Sequence, residues 1–232
     1  MLRKLSIAAL SILSVASIAD AQSAQAASSL VNGGFEQPGI TGRGIFPESA
    51  VPGWKTTDPG GIEIWDSSFG VTAYEGTQFA EINAFIDGTL FQDVDPIAAG
   101  STIGFEFAHR ARVGTDVMNL AITDLGADGI FGGGDDTSLF TKNYSATTAA
   151  WVFNTNAGEP TITTLGNKIR FAYSAVSTGS GSPSAGNFLD AVSFGVGVGA
   201  SATSVPEPAT MLGLLAFGAF GATSLKRKKV GA

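Results

Sequence analysis

Apolar residues are distributed along this chain in three ways. They form one short continuous run from Leu5 to Ala19 and a second from Ala209 to Leu225. Between the two they recur in brief alternating stretches. No helical spacing of apolar positions persists outside the terminal runs. The middle breaks every few residues at Gly, Pro, Asp or Asn, and Gly alone supplies 31 residues of the full chain. Short strands bounded by turn residues are the pattern of an all-β antiparallel sandwich or barrel. Strands are predicted at 61–65, 78–83, 89–94, 102–112, 117–123, 150–153, 168–174 and 187–196. Alternation is clearest at 102–112, where Ile103, Phe105, Phe107, His109 and Ala111 share one face and Glu106, Ala108, Arg110 and Arg112 the other.

The two terminal runs carry different flanks. Arg3 and Lys4 precede the first, and Ala24-Gln25-Ala26 follows it as a small-x-small cleavage site, with Ala19-Asp20-Ala21 in competition. That layout is a secretory signal peptide over 1–26, removed by signal peptidase. The second run is bounded by Pro206 and Pro208 in front and Lys226-Arg227-Lys228-Lys229 behind. Proline cannot sit inside a helix, so the helix is expected to begin near Ala209. Its roughly 17 uncharged residues would rise about 25 Å, just enough to cross a hydrocarbon core. The reading is a single transmembrane helix over 209–225, its cations on the cytoplasmic side and the rest of the chain outside. The alternative, a buried C-terminal helix of a globular domain, suits the four consecutive cations less well.

Charge changes meaning once the ends are set aside. The whole chain carries −7, but residues 27–204 hold 7 basic and 18 acidic side chains, a net of −11. Such a surface argues against nucleic acid or anionic lipid as a partner and suits divalent cations and neutral glycans. The chain has no cysteine, so an exported domain must be held by its core or by metal ions and not by disulfides.

Val205-Pro206-Glu207-Pro208-Ala209, an apolar helix and a basic end, in that order, resemble the PEP-CTERM sorting signal, here over 205–232. The resemblance implies recognition by an exosortase in the inner membrane of a Gram-negative cell, with the helix as a transient anchor. Residues 197–204 read as a linker to it. In the middle, Asn32-Gly33-Gly34-Phe35-Glu36 near the start, Gly53-Trp54 after it, and Leu189-Asp190-Ala191-Val192-Ser193 near the end resemble the galactose-binding-like jelly rolls that include many carbohydrate-binding modules. This implies a jelly-roll β-sandwich over 27–196, a glycan ligand and a structural calcium ion. Carried over by motif, the calcium would take the side chains of Glu36 and Asp190 and carbonyls near Asn32 and Gly33. Ala191 departs from the pattern, since many relatives carry a second Asp there.

Further candidates come from the residues themselves. Asp124, Asp128, Asp135 and Asp136 lie within 13 residues rich in glycine. They read equally as a second calcium site or as a solvated acidic hairpin loop, and the spacing is not that of an EF-hand. Sugar contact needs aromatic faces and directional polar groups. Trp65, Tyr74, Glu81, Arg110 and Arg112 are the candidates for it, although core packing is the commoner fate of any one Trp and the arginines would serve equally as an ion-pair ladder with Glu106. His109, the single histidine, shares a face with Phe105 and Phe107, which favours a core role over catalysis. Three function classes follow: a non-catalytic binding module for extracellular polysaccharide, a structural matrix or adhesion protein, and, least favoured, a glycosidase using Glu81 and Glu106.

Overall fold

A computed structural model describes residues 28–199. The expected signal peptide, membrane helix and sorting motif, including Val205, Pro206, Glu207 and Pro208, lie outside the described residues, as does most of the linker. Among the described residues no helix is long and apolar enough to cross a membrane. The described residues form twelve strands: β1 (Arg43–Phe46), β2 (Lys55–Thr56), β3 (Ile62–Asp66), β4 (Gln78–Glu81), β5 (Thr89–Val94), β6 (Thr102–Arg110), β7 (Thr115–Asp124), β8 (Thr137–Thr147), β9 (Val152–Thr155), β10 (Ile162–Thr163), β11 (Ile169–Ser177) and β12 (Phe188–Val196).

They build two antiparallel sheets. The larger runs β1-β3-β4-β12-β6, with β10 and β9 both pairing on β6, and the smaller runs β2-β5-β11-β7-β8. The chain crosses repeatedly between the sheets, so the first and last strands of the domain belong to the same sheet, β1 at its edge and β12 in its interior, as in a jelly roll. The eight predicted strands are β3, β4, β5, β6, β7, β9, β11 and β12, with their ends moved by a few residues. Strands β1, β2, β8 and β10 are additional to that prediction.

Inward-facing residues of both sheets fill the space between them. On β6 these are Ile103, Phe105 and Phe107, as the alternation predicted, and they meet Met118, Leu120 and Ile122 of β7 and Phe171 and Tyr173 of β11 in one core. Ring contacts continue through it from Phe107 to Tyr173, Phe171 and Phe194, with centroids 5.1, 5.1 and 4.5 Å apart. Trp54 lies in the same core, stacked on Phe35 at 4.8 Å, and donates its indole N–H to the Asn32 carbonyl at 2.9 Å. The Gly-Trp and Asn-Gly-Gly-Phe-Glu motifs therefore pack against each other. At about 1.5–3 kcal/mol per buried large apolar side chain, this core supplies the main stabilisation of a chain without disulfides.

Candidate functional site

Alternation on β3, β4, β12 and β6 sends one set of side chains into the core and leaves the other on the outer surface of the larger sheet. The register arranges that outer set in rows. Arg43, Trp65 and Phe79 pair across β1, β3 and β4, and Asp190, Ala108 and Phe153 across β12, β6 and β9. The neighbouring row is Ile45, Glu63, Glu81, Phe188 and Arg110. The five residues expected to contact sugar thus gather on this face or at its rim.

Two of them are sealed into it, against the expectation. Trp65 is only 6% exposed. It packs on Phe79 and Phe188, and the guanidinium groups of Arg43 and Arg112 cover its ring, 5.0 and 4.8 Å from the centroid. Glu81 is fully buried and accepts from Arg112 Nη1 at 3.0 and 3.2 Å and from the Gly186 N–H at 2.7 Å. Burial, reinforced by the charge of Glu63 across the strand pair, pushes Glu81 up to about 7. Alternation correctly placed both side chains off the core, but the residues that cover them come from elsewhere in the chain, Arg43 from β1 and Arg112 and Gly186 from loops. Arg112 is held by the pair with Glu81, and Arg110 donates to the Thr148 carbonyl at 2.6 Å.

The open part of the face lies farther along it. Tyr74 and Phe153 are 46% and 43% exposed, with rings parallel within 6° and centroids 5.4 Å apart. Trp151 stands edge-on to Tyr74 at 6.4 Å, its indole N–H donating to the Thr72 carbonyl at 2.8 Å. The three rings form an aromatic ledge beside a cavity of about 390 Å³. Glu75, Glu106 and the Gly33–Gly34 segment also line it. Its volume lies near the lower end of the ligand-pocket range. Among the five candidates, only Tyr74 lines this cavity. Alternation had put Glu106 on the correct face, whereas no sequence signal joined Phe153 and Glu75 to it.

The oxygens of the expected calcium set are engaged within the chain. Glu36 Oε1 accepts the N–H groups of Thr77 and Gln78 at 2.7 and 2.9 Å, and Oε2 accepts the Thr77 hydroxyl at 2.7 Å. Asp190 Oδ2 accepts the N–H groups of Tyr74 and Glu75 at 2.8 and 3.0 Å, and Oδ1 that of Ala191 at 2.6 Å. The Asn32 carbonyl serves Trp54 and Phe35, and the Gly33 carbonyl serves Val192. Each of these oxygens already faces a donor, and Ala191 offers no carboxylate, so the set does not fit a cation that takes six to eight oxygens. The two carboxylates instead clasp the 74–78 loop directly.

The acidic loop behaves alike. Asp124 accepts from the Leu165 and Gly166 amides, Asp128 from Ile130, Asp135 from Ala127 and Asp136 from Gly132. Only Asp136 Oδ1 is buried there without a partner. Among the described residues no group of three or more His, Cys, Asp or Glu side chains is placed to hold a metal ion. The segment is an amide-tied hairpin between β7 and β8. His109 is fully buried, its Nε2 3.0 Å from Asn187 Oδ1, and desolvation pushes it down to about 4. It is a neutral core residue.

A family model for the PEP-CTERM protein-sorting motif matches residues 204–228. The chain carries that sorting motif. No curated protein sequence matches it. Among solved structures, TmCBM61, described in complex with β-1,4-galactotriose, is similar at 16% identity and a TM-score of 0.49, over 74% of this chain and 99% of that one. The C-terminal family 22 carbohydrate binding module of Clostridium thermocellum Xyn10B is similar at 15% identity and 0.45, over 73% and 98%. The K2 cleaved adhesin domain of Lys-gingipain is similar at 16% and 0.43, over 66% and 98%. The PEP-CTERM motif implies export, a passage through the membrane and sorting to the cell surface.

Proposed function

We propose that this PEP-CTERM protein is a non-catalytic carbohydrate-binding protein, processed by signal peptidase and an exosortase and directed to extracellular polysaccharide. The observation that carries the reading is the exposed ring pair of Tyr74 and Phe153, backed by the half-buried Trp151, beside a cavity with two carboxylates. Stacked rings cover the C–H face of a sugar, and polar groups at the edge fix its hydroxyls. The carboxylate pair weighed for a glycosidase does not converge. Glu81 is buried, and two strand spacings and four residues along β6 separate it from Glu106, on the order of 16 Å of backbone. Known carboxylate pairs in such enzymes stand about 5 to 9.5 Å apart.

The test is affinity electrophoresis in gels containing the producing cell's own polysaccharide. The parent is expected to be retarded, and Y74A and F153A each to lose most of that retardation while melting like the parent. Equal mobility of parent and variants in every polymer would overturn the reading.

A matrix or adhesion role is the second reading, and strand β8 favours it. This edge strand spans 11 residues and, among the described residues, pairs on one side only, with β7. Concentration-dependent light scattering, absent in a β8 proline variant, is the expected result for that role.

A further inference from the structure

Carboxylates in this domain are almost all used up internally. Of the 18 described, 15 accept a hydrogen bond or an ion pair from the rest of the chain; Glu75, Asp95 and Glu106 have no such partner among the described residues. Two of these three line the same cavity, the one beside the Tyr74–Phe153 ledge. Neither lysine nor arginine lines it. Arg110, on the same face of β6 as Glu106, is turned away to the Thr148 carbonyl. Asp190 lies behind the cavity, its oxygens already committed to amides. Glu106 is moreover half-buried, where an uncompensated charge costs more than in open water.

We propose that this cavity selects sugars bearing a free amino group, the unit of a de-N-acetylated hexosamine polymer, and rejects uronates. The inference rests on the carbohydrate reading above and names the ligand class of that site. An ammonium group held between Glu75 and Glu106 gains charge-assisted hydrogen bonds from two unpaired acceptors. The ring that carries it lies on the aromatic ledge, where the faces of Tyr74 and Phe153 also attract a cation. A uronate carboxylate at the same place would meet two like charges and a domain of net charge −11. A neutral sugar gains the stacking alone and weaker hydroxyl contacts. The geometry therefore orders the ligands as amine-bearing, then neutral, then uronate.

Isothermal titration of the full chain in detergent, with chitosan oligosaccharides, their fully N-acetylated counterparts and oligogalacturonates as probes, tests this at a pH where the amine is protonated. The amine-bearing oligomer is expected to bind about tenfold or more tighter than the acetylated one, with the gap closing as salt rises. Oligogalacturonate is expected to give no heat of binding. In the double variant E75Q/E106Q the amine-bearing oligomer should fall to the affinity of the acetylated one, with the melting midpoint unchanged because neither carboxylate holds the fold. Equal affinity for the two chitin-derived probes, or tight binding of oligogalacturonate, overturns the amine selectivity and leaves carbohydrate binding standing. No binding of any probe or of the native polymer overturns both.

Discussion

Asp116 illustrates how single residues hold this fold. It is fully buried, and its carboxylate accepts the N–H groups of Arg112 at 2.8 Å, Asn187 at 2.9 Å and Gly179 at 2.7 Å. Those donors come from two loops, Arg112 from the β6–β7 turn and Gly179 and Asn187 from the β11–β12 connection. Asp58 does the same for Gly60, Phe85 and Ile86. Removing such a group leaves three amides without acceptors, so D116A is expected to cost about 4 kcal/mol in urea unfolding. Glu81 has the opposite consequence for pH. Its ordinary value of 4.5 is raised to about 7 in the folded protein, so the native state binds the extra proton between those limits. Its contribution to stability is present below pH 4.5 and is lost as the pH climbs towards 7. The parent should therefore lose roughly 1–3 kcal/mol relative to E81Q between pH 4.5 and 7. His109 works the other way, because a base held neutral at about 4 destabilises the fold as the pH falls below 6.5. Comparing parent with E81Q isolates the carboxyl, and parallel pH profiles of the two would contradict its assignment.

At the level of elements, the opening motif is explained by close packing. Gly33 lies so near the Val192 carbonyl oxygen that a Cβ there would overlap it, and the Val192 amide donates back to the Gly33 carbonyl at 2.9 Å. G33A should cost at least about 2 kcal/mol by prising the opening segment from β12, read as a lowered denaturant midpoint with unchanged m-value. Strand β12 itself is bulged between Asp190 and Ser193, with Ala191 at φ 49°, a left-handed conformation that redirects the chain beside the cavity. Strand β8 shows why some elements escape a reading of the sequence. It is an edge strand whose inward positions include Lys142, which reaches out to Glu159 and lies over Tyr144. A lysine on the inner side erases the alternation by which β6 was legible. The short strands β1, β2 and β10 escape for a related reason, since two to four residues are too few to carry a period.

For the whole molecule, carboxylate-to-amide ties stand where disulfides would otherwise staple the loops. EGTA is therefore expected to leave the melting midpoint of the exported domain unchanged, and added calcium to raise it by no more than a general salt effect; a clear drop in EGTA would restore the calcium assignment. The address of the protein and its class of fold were determined by the sequence alone. The sorting motif at 204–228 is contiguous and is recognised as such, and strand alternation is a local property with period two. Only the tertiary structure decided which outer-face residues stay open. Trp65 and Glu81 have the right parity yet are covered by Arg43 and Arg112, whereas Tyr74, Glu75, Glu106 and Phe153 meet at one cavity from segments far apart in the chain. Parity tells which face a side chain takes. What lies over that face depends on how the sheets and loops pack, and no local pattern encodes it.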